Sequence, residues 1–142
     1  MLRDLVEDPG LKEDLLAILD IQMATASLLA ADFEVMPEGM PVVGPQQVEF
    51  LEKRIDEMDV SLEPIRFFVI PGGHPAISQA HIARTVCRRT ERDILRLQED
   101  VDKNEIIIQF YNRLSDYFFV ISRKIAALLG IRQMPWKRGL QD

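Results

Sequence analysis

The chain has 142 residues, of which 47% are hydrophobic and 28% are charged, and its formal net charge is −6. This length predicts one domain over residues 1–142, and the apolar content predicts a globular chain. The negative charge argues against general nucleic-acid binding, and no apolar run reaches the ~20 residues of a transmembrane helix. The only cysteine, Cys87, excludes an intramolecular disulfide. Because the N-terminal residues also lack the apolar segment of a signal peptide, we expect a cytoplasmic protein that binds neither nucleic acid nor membrane.

The first predicted helix covers about residues 11–31, after a turn at Asp8, Pro9 and Gly10. Apolar residues recur in it at helical spacing. We expect the following to face the core: Leu15, Leu19, Met23, Ala26 and Ala30, with Leu16, Ile18 and Leu29 widening the stripe. A loop rich in proline and glycine follows over residues 33–44. The second helix is predicted over about residues 45–58, and its core-facing residues are Val48, Leu51 and Ile55.

The apolar run IRFFVIPGG, residues 65–73, is too short for a helix, and nothing else in the chain offers it a strand partner. We therefore expect a buried, extended connector, with Phe67 and Phe68 in the core rather than at a ligand. The third helix is predicted over about residues 75–99 and the fourth over about 104–129. The stripe predicted for the fourth helix is Ile107, Phe110, Leu114, Tyr117, Ile121, Ile125 and Leu128.

Gly130 is well placed to end the fourth helix, and the tail RQMPWKRGLQD is expected to be irregular. The chain thus contains four long amphipathic helices with short connections and no paired strand. This pattern predicts an all-α fold, an up-and-down helical bundle.

The third helix combines a packing face with a row of arginines. The predicted packing face consists of Ala80, Ala83, Cys87, Thr90, Ile94 and Leu97. Arg84, Arg88 and Arg92 follow one another at four-residue spacing, which aligns their side chains. Glu91 lies beside the row, where it can pair with Arg88. The row is either a solvated face of weak ion pairs or a clamp for polyphosphate, because the guanidinium fork matches phosphate oxygens.

The remaining polar residues give weaker signals. In the fourth helix, Asn112 is expected to be solvated, and Asp116 to pair with Arg113 or with an arginine of the third helix. The two histidines are too few to predict a metal site, so we expect no metal ligands. Cys87 is expected to be packed and inert.

Two stretches together resemble the signature blocks of the PduO-type ATP:cob(I)alamin adenosyltransferases. The first is FFVIPGGHPAISQAHIARTVCRRTER, residues 67–92, and the second is FYNRLSDYFFVISR, residues 110–123. They are similar to the family patterns F-[VI]-x-P-G-G…H-x-[AC]-R-x-x-x-R-R-x-E-R and N-R-L-S-D-Y-[LF]-F. Order, spacing and unusual residue types agree at once, and weaker similarity covers most of the chain.

The resemblance implies a homotrimer of five-helix bundles with active sites between subunits. Such an enzyme transfers the 5′-deoxyadenosyl group of ATP to the cobalt of a reduced corrinoid and releases triphosphate. Magnesium would accompany the ATP, cobalamin would be the second substrate, and a reductase is a possible partner.

The resemblance also assigns roles to individual residues. Phe68 would pack beneath the corrin ring and displace the lower axial ligand of the cobalt. Arg84 would form an ion pair across the subunit interface. The residues implied to bind ATP are Arg88, Arg89, Thr90, Glu91, Arg92 and Asn112.

Two further family motifs are absent from this chain: a Thr-Gly-Asp-x-Gly-x-Thr segment that wraps the ATP phosphates, and an Asp-Glu-Leu-Asn motif in the family's first helix. Three explanations stay open: a truncated or mis-started longer protein, a divergent homologue that binds ATP weakly, or a separate polypeptide that supplies the segment. We expect the remaining helices to expose apolar surface, because their stripes suit a five-helix bundle. The alternative functions are a non-catalytic module that binds corrinoid or polyphosphate, and a trimeric scaffold with solvated arginines.

Overall fold

The computed structural model describes residues 1–30, 38–40, 42–97 and 101–137, with side chains from residue 104 onward in the last range. Several predicted features lie outside these ranges. They are the end of the first helix at residue 31, loop residues 33–37 and 41, the end of the third helix at Glu99, and tail residues 138–142.

The fold is a helical bundle with one very small sheet, so the predicted all-α class is confirmed. Its elements are α1 Leu2–Leu5, α2 Pro9–Ala30, α3 Pro45–Asp59, β1 Val69–Ile70, α4 Pro75–Arg96, α5 Val101–Leu128 and β2 Met134–Pro135. The four long helices, α2 to α5, are the four predicted from the sequence. Within the described ranges, none of the helices is long and apolar enough to cross a membrane.

The helix ends follow from local chemistry. Asp8 Oδ1 accepts a hydrogen bond from the backbone N–H of Leu11 at 2.9 Å, which caps the start of α2. His74 Nδ1 does the same for α4, accepting from the N–H of Ala76 at 3.2 Å. Gly130 has φ +64°, and the chain reverses there as the N–H of Ile131 reaches the carbonyl of Ala126 at 2.8 Å. This is the left-handed helix end that glycine favours, as predicted.

Helix α5 forms the centre of the bundle and packs against α3 and α4. Phe110, Leu114 and Tyr117 are fully buried, and the predicted stripe is confirmed except for Leu128, which is exposed. Helix α2 joins the bundle partly through polar contacts. The Thr25 hydroxyl lies 3.2 Å from the Tyr111 hydroxyl in the core.

The stripe predicted for the first helix is confirmed at Leu15 and Ile18, and Leu29 is half-buried against the core, but the other positions are wrong. Leu19, Met23, Ala26 and Ala30 are exposed, and the buried residues are Leu11, Leu15, Ile18 and Thr25. The helix is apolar on two sides, so spacing alone could not decide which side faces the core. The other side leaves Leu16, Leu19 and Met23 exposed, and we call these residues the outer face of α2.

The connector prediction is also wrong. Val69 pairs with Pro135 and Ile70 with Met134 in an antiparallel ladder, so the tail supplies a strand partner. Phe67 and Phe68 are exposed rather than part of the core. A partner strand that contains proline is not one that a sequence pattern predicts. Leu97, assigned to the packing face of the third helix, is exposed as well.

Candidate functional site

Except for Arg84, the arginines of α4 lie along its exposed side, opposite buried Cys87 and Ile94. Arg88, Arg89 and Arg92 all reach solvent. Among the residues that the structure describes, Arg89 and Arg92 have no acidic partner, whereas Arg88 pairs with Glu91. The guanidinium groups of Arg89 and Arg92 are therefore available to an anion.

Glu91 holds Arg88 and ties α4 to α5. Its Oε2 lies 2.9 Å from Arg88 Nη1, and its Oε1 accepts a hydrogen bond from Asn112 Nδ2 at 3.0 Å. The Glu91 side chain is 13% exposed, whereas that of Arg88 is 53% exposed. The predicted Glu91–Arg88 pair is confirmed, and the prediction that Asn112 is only solvated is wrong. Both carboxylate oxygens are engaged, so the carboxylate orients two side chains on two helices.

The network continues from Asn112 to α3. Asn112 Oδ1 accepts from Arg113 Nη1 at 3.1 Å, and Arg113 Nε donates to Glu52 Oε1 at 2.9 Å. This hydrogen bond with Glu52 is the main reason why the pKa of Arg113 is raised. Arg113 also lies 3.5 Å from Asp116, which confirms that predicted pair.

A small cavity opens where the three helices meet, with a volume of about 120 Å³. It is lined by Val48, Glu52, Glu91, Gln109, Asn112 and Arg113. Sequence reasoning missed Glu52 and Gln109, because which residues of α3 and α5 face each other depends on how the helices pack.

Arg84 and His81 lie towards the start of α4, away from the cavity. The Arg84 guanidinium carbon lies 5.8 Å from the centre of the Phe119 ring, a cation–π contact. Arg84 Nε is buried without a hydrogen-bond partner in the described part of the chain. His81 is 5% exposed, and neither ring nitrogen has a partner there. Burial, and secondarily the charge of Arg84, lower the pKa of His81.

Two other residues of α4 are satisfied within the helix. The Thr90 hydroxyl donates to the carbonyl of Val86 at 3.0 Å, so its proton is not available to a ligand. Burial raises the pKa of Cys87 to about 12, in line with the predicted inert thiol.

Phe68 lies in the connector before α4, with its side chain 79% exposed. It contacts Trp136, a residue of the tail that the sequence reasoning did not single out, with ring centroids 6.3 Å apart. Helix α4 starts at Pro75, and at 1.5 Å per residue about 20 Å of helix separates that start from Arg88. Within one chain, the candidate site residues therefore form two groups that lie apart. The arginine cluster is Arg88, Arg89, Glu91, Arg92 and Asn112, and the aromatic pair is Phe68 and Trp136.

No group of three or more His, Cys, Asp or Glu side chains in the described ranges is arranged to hold a metal ion. Glu91, the acidic residue of the arginine cluster, already has both oxygens engaged. Magnesium in proteins is commonly held by one or two side chains together with the phosphate oxygens of its ligand, so the absence of such a group in the described ranges concerns only sites built entirely from protein side chains.

Comparison with known proteins gives a consistent result. The sequence model of the family described as cobalamin adenosyltransferase matches residues 1–125. A corrinoid adenosyltransferase of Bacillus subtilis is 39% identical over 93 residues, which are 66% of this chain and 48% of that protein. A cobalamin adenosyltransferase of Cupriavidus metallidurans is 35% identical over 135 residues, covering 94% of this chain and 72% of that protein. The chain thus spans about half the length of the first relative and more of the second.

The fold resembles a solved structure of a corrinoid adenosyltransferase. It is a variant of the PduO-type ATP:corrinoid adenosyltransferase from Lactobacillus reuteri, complexed with cobalamin and ATP. The TM-score is 0.85 with 27% sequence identity, and the match covers 96% of this chain and 77% of that chain. The likeness therefore extends over nearly the whole chain.

Proposed function

The chain belongs to the cobalamin adenosyltransferase family, and from this we propose that it transfers the 5′-deoxyadenosyl group of ATP to a reduced corrinoid. In this reaction cobalt(I) attacks the 5′ carbon of ATP, a cobalt–carbon bond forms, and the carbon–oxygen bond to the triphosphate breaks. The observation that carries the proposal is the arginine cluster, in which Glu91 and Asn112 fix Arg88 beside the exposed Arg89 and Arg92. The chain has a net charge of −6, yet the arginine cluster concentrates positive charge at one place on its surface.

The positive charge of the arginine cluster matches the negative charge of the leaving group, triphosphate. Triphosphate gains negative charge as the bond to carbon breaks, and guanidinium groups held in place beforehand stabilise that charge. Glu91 repels phosphate, so its role here is to orient Arg88 and Asn112 rather than to touch the nucleotide. Thr90 lies beside Glu91, and its hydroxyl oxygen can still accept a hydrogen bond. Magnesium enters as a counterion on the phosphates of ATP, and no step depends on protein ligands to it.

The apolar, exposed ring of Phe68 is suited to packing against the flat face of a corrinoid. An exposed phenyl ring at the edge of the fold offers a flat apolar surface, and we propose that it packs beneath the corrin ring and excludes the lower axial ligand. Loss of that ligand makes cobalt(II) easier to reduce to the cobalt(I) nucleophile.

A homotrimer is part of the proposal, with each site completed between neighbouring subunits. Two observations support it: the outer face of α2 exposes Leu16, Leu19 and Met23, and Arg84 Nε is buried without a partner in the described part of its own chain. An acidic residue of a neighbouring subunit would satisfy Arg84. A reductase partner, a cytoplasmic location and a single domain over residues 1–142 stay predictions from the sequence.

The proposal is tested by an anaerobic absorbance assay with cob(I)alamin, ATP and magnesium. Formation of adenosylcobalamin by the purified chain, lost in Arg88→Ala, supports it. Arg96→Ala is the matched control, because Arg96 is an exposed arginine of the same helix that pairs with Asp93 at 3.3 Å. This control should keep full activity. A folded wild-type protein that binds corrinoid or ATP without forming adenosylcobalamin would instead indicate a non-catalytic homologue.

A further inference from the structure

The tail of the chain returns to the residue that the proposed function assigns to the corrin ring. Trp136 meets Phe68 edge to face, with an interplanar angle of 77° and centroids 6.3 Å apart. The backbone N–H of Trp136 also donates to the carbonyl of Phe68 at 2.6 Å. Trp136 therefore contacts both the main chain and the side chain of Phe68.

These contacts matter because little else in the described part of the chain restrains Phe68. Its side chain is 79% exposed, and an exposed phenyl ring exchanges between rotamers. The adjoining ladder pairs only Val69 with Pro135 and Ile70 with Met134. The edge-to-face contact between the Trp136 indole and the Phe68 ring favours one ring orientation, since such pairs are geometrically specific.

We propose that Trp136 is a positioning residue, which fixes the Phe68 ring in the orientation that packs beneath the corrin. This inference rests on the proposed function. Trp136 acts through Phe68 by holding its ring and its carbonyl, so that the ring is in place before the corrinoid binds. Preorganisation of this kind improves binding without a new contact to the ligand.

The first test measures the share of bound cob(II)alamin that loses its lower ligand, by electron paramagnetic resonance of the ATP-loaded protein. Trp136→Ala should lower the equilibrium constant for formation of the four-coordinate form by about 2- to 10-fold. This range corresponds to the free energy that an aromatic pair of ordinary strength contributes. ATP affinity should not change. Trp136→Phe should restore most of the signal, because it keeps an aromatic ring at this position.

Met134→Ala is the matched control for this test. Met134 is an exposed residue of the same strand, and it lies opposite Ile70 rather than Phe68. It should behave like the wild type. Equal four-coordinate shares in Trp136→Ala and the wild type would overturn the positioning role.

The second test does not depend on the corrinoid. Trp136 is the only tryptophan of the chain, so emission excited at a wavelength that tyrosine does not absorb reports on this residue alone. Phe68→Ala should increase the quenching of that emission by iodide, because it uncovers one side of the indole. Unchanged quenching would mean that the two rings do not meet, and would overturn the proposal.

The two tests separate this inference from the proposed function. A wild-type protein that never yields four-coordinate cob(II)alamin overturns the role of Phe68, and the role of Trp136 with it. A wild type that yields the signal, together with a Trp136→Ala variant that also yields it in full, overturns only the positioning role.

Discussion

Glu91 and Arg88 form one ion pair, yet we expect their replacements by alanine to have different effects. Glu91 also accepts the hydrogen bond of Asn112 on α5, whereas Arg88 has 53% of its side chain in solvent. Glu91→Ala should therefore lower mainly the stability of the bundle. Arg88→Ala should lower mainly the affinity for ATP.

The magnitudes follow from the exposure of each contact. A hydrogen bond to a charged acceptor contributes about 1.5 kcal/mol at the low end of its range. An ion pair as exposed as Arg88–Glu91 adds only about 0.3–0.5 kcal/mol. Glu91→Ala should thus lower the free energy of unfolding by about 2 kcal/mol, and Arg88→Ala by about 0.5 kcal/mol or less. Loss of a guanidinium–phosphate contact should weaken ATP binding by about 10- to 100-fold in Arg88→Ala.

Urea unfolding at one fixed protein concentration measures the stabilities, and titration calorimetry measures the affinity for ATP. A double-mutant cycle of Glu91→Ala with Asn112→Ala should give a coupling energy of about 1 kcal/mol, because the two side chains are in direct contact. Equal losses of stability in the two single variants, or no coupling in the cycle, would refute this reasoning.

Three further predictions concern stability and reactivity. The free energy of unfolding should fall as the pH drops below about 6.5. Below that pH the histidine binds a proton in the unfolded chain, whereas buried His81 in the folded chain, with its lowered pKa, stays neutral. His81→Leu should reduce that fall, whereas His74→Asn, which keeps a capping acceptor, should not. Cys87, with its pKa raised to about 12, should react with a thiol reagent at pH 8 only after unfolding in urea. Gly130→Ala should lower the free energy of unfolding by about 1 kcal/mol, measured in urea, since φ there is +64° and the space beyond is open.

Each of these has an outcome that contradicts it. A wild-type protein whose stability stays level between pH 7.5 and 5 would contradict the account of His81. Rapid labelling of native Cys87 would contradict its burial. A Gly130→Asn variant should lose less stability than Gly130→Ala, because asparagine tolerates the left-handed conformation better. The reverse order would contradict the explanation by backbone strain.

The parts of the fold that the sequence predicted correctly are those where one periodicity dominates. Helix α5 has a single continuous apolar stripe, and Phe110, Leu114 and Tyr117 are buried as expected. Helix α2 has apolar residues on two sides, and the residues chosen from spacing included Met23, which is exposed. Periodicity identifies a helix, but it does not say which of two apolar sides meets the core.

The candidate site shows the same limit. The Glu91–Arg88 pair was predictable, because residues three apart on a helix are neighbours. The Glu91–Asn112 hydrogen bond joins α4 to α5, and it depends on how far one helix is shifted along the other. The Phe68–Trp136 contact depends on a tail strand that contains a proline, for which the sequence offers no pairing signal.

The ladder between β1 and β2 is only two residues long on each side, and it closes a loop that contains all of α4 and α5. Such a ladder has few hydrogen bonds to break, so it can open while the helices stay folded. Amide hydrogens of Ile70 and Trp136 should therefore exchange with solvent through local opening, far faster than those of Leu114 in the buried middle of α5. Because this opening releases Phe68, the surface proposed for the corrinoid has a lower local stability than the bundle that carries it.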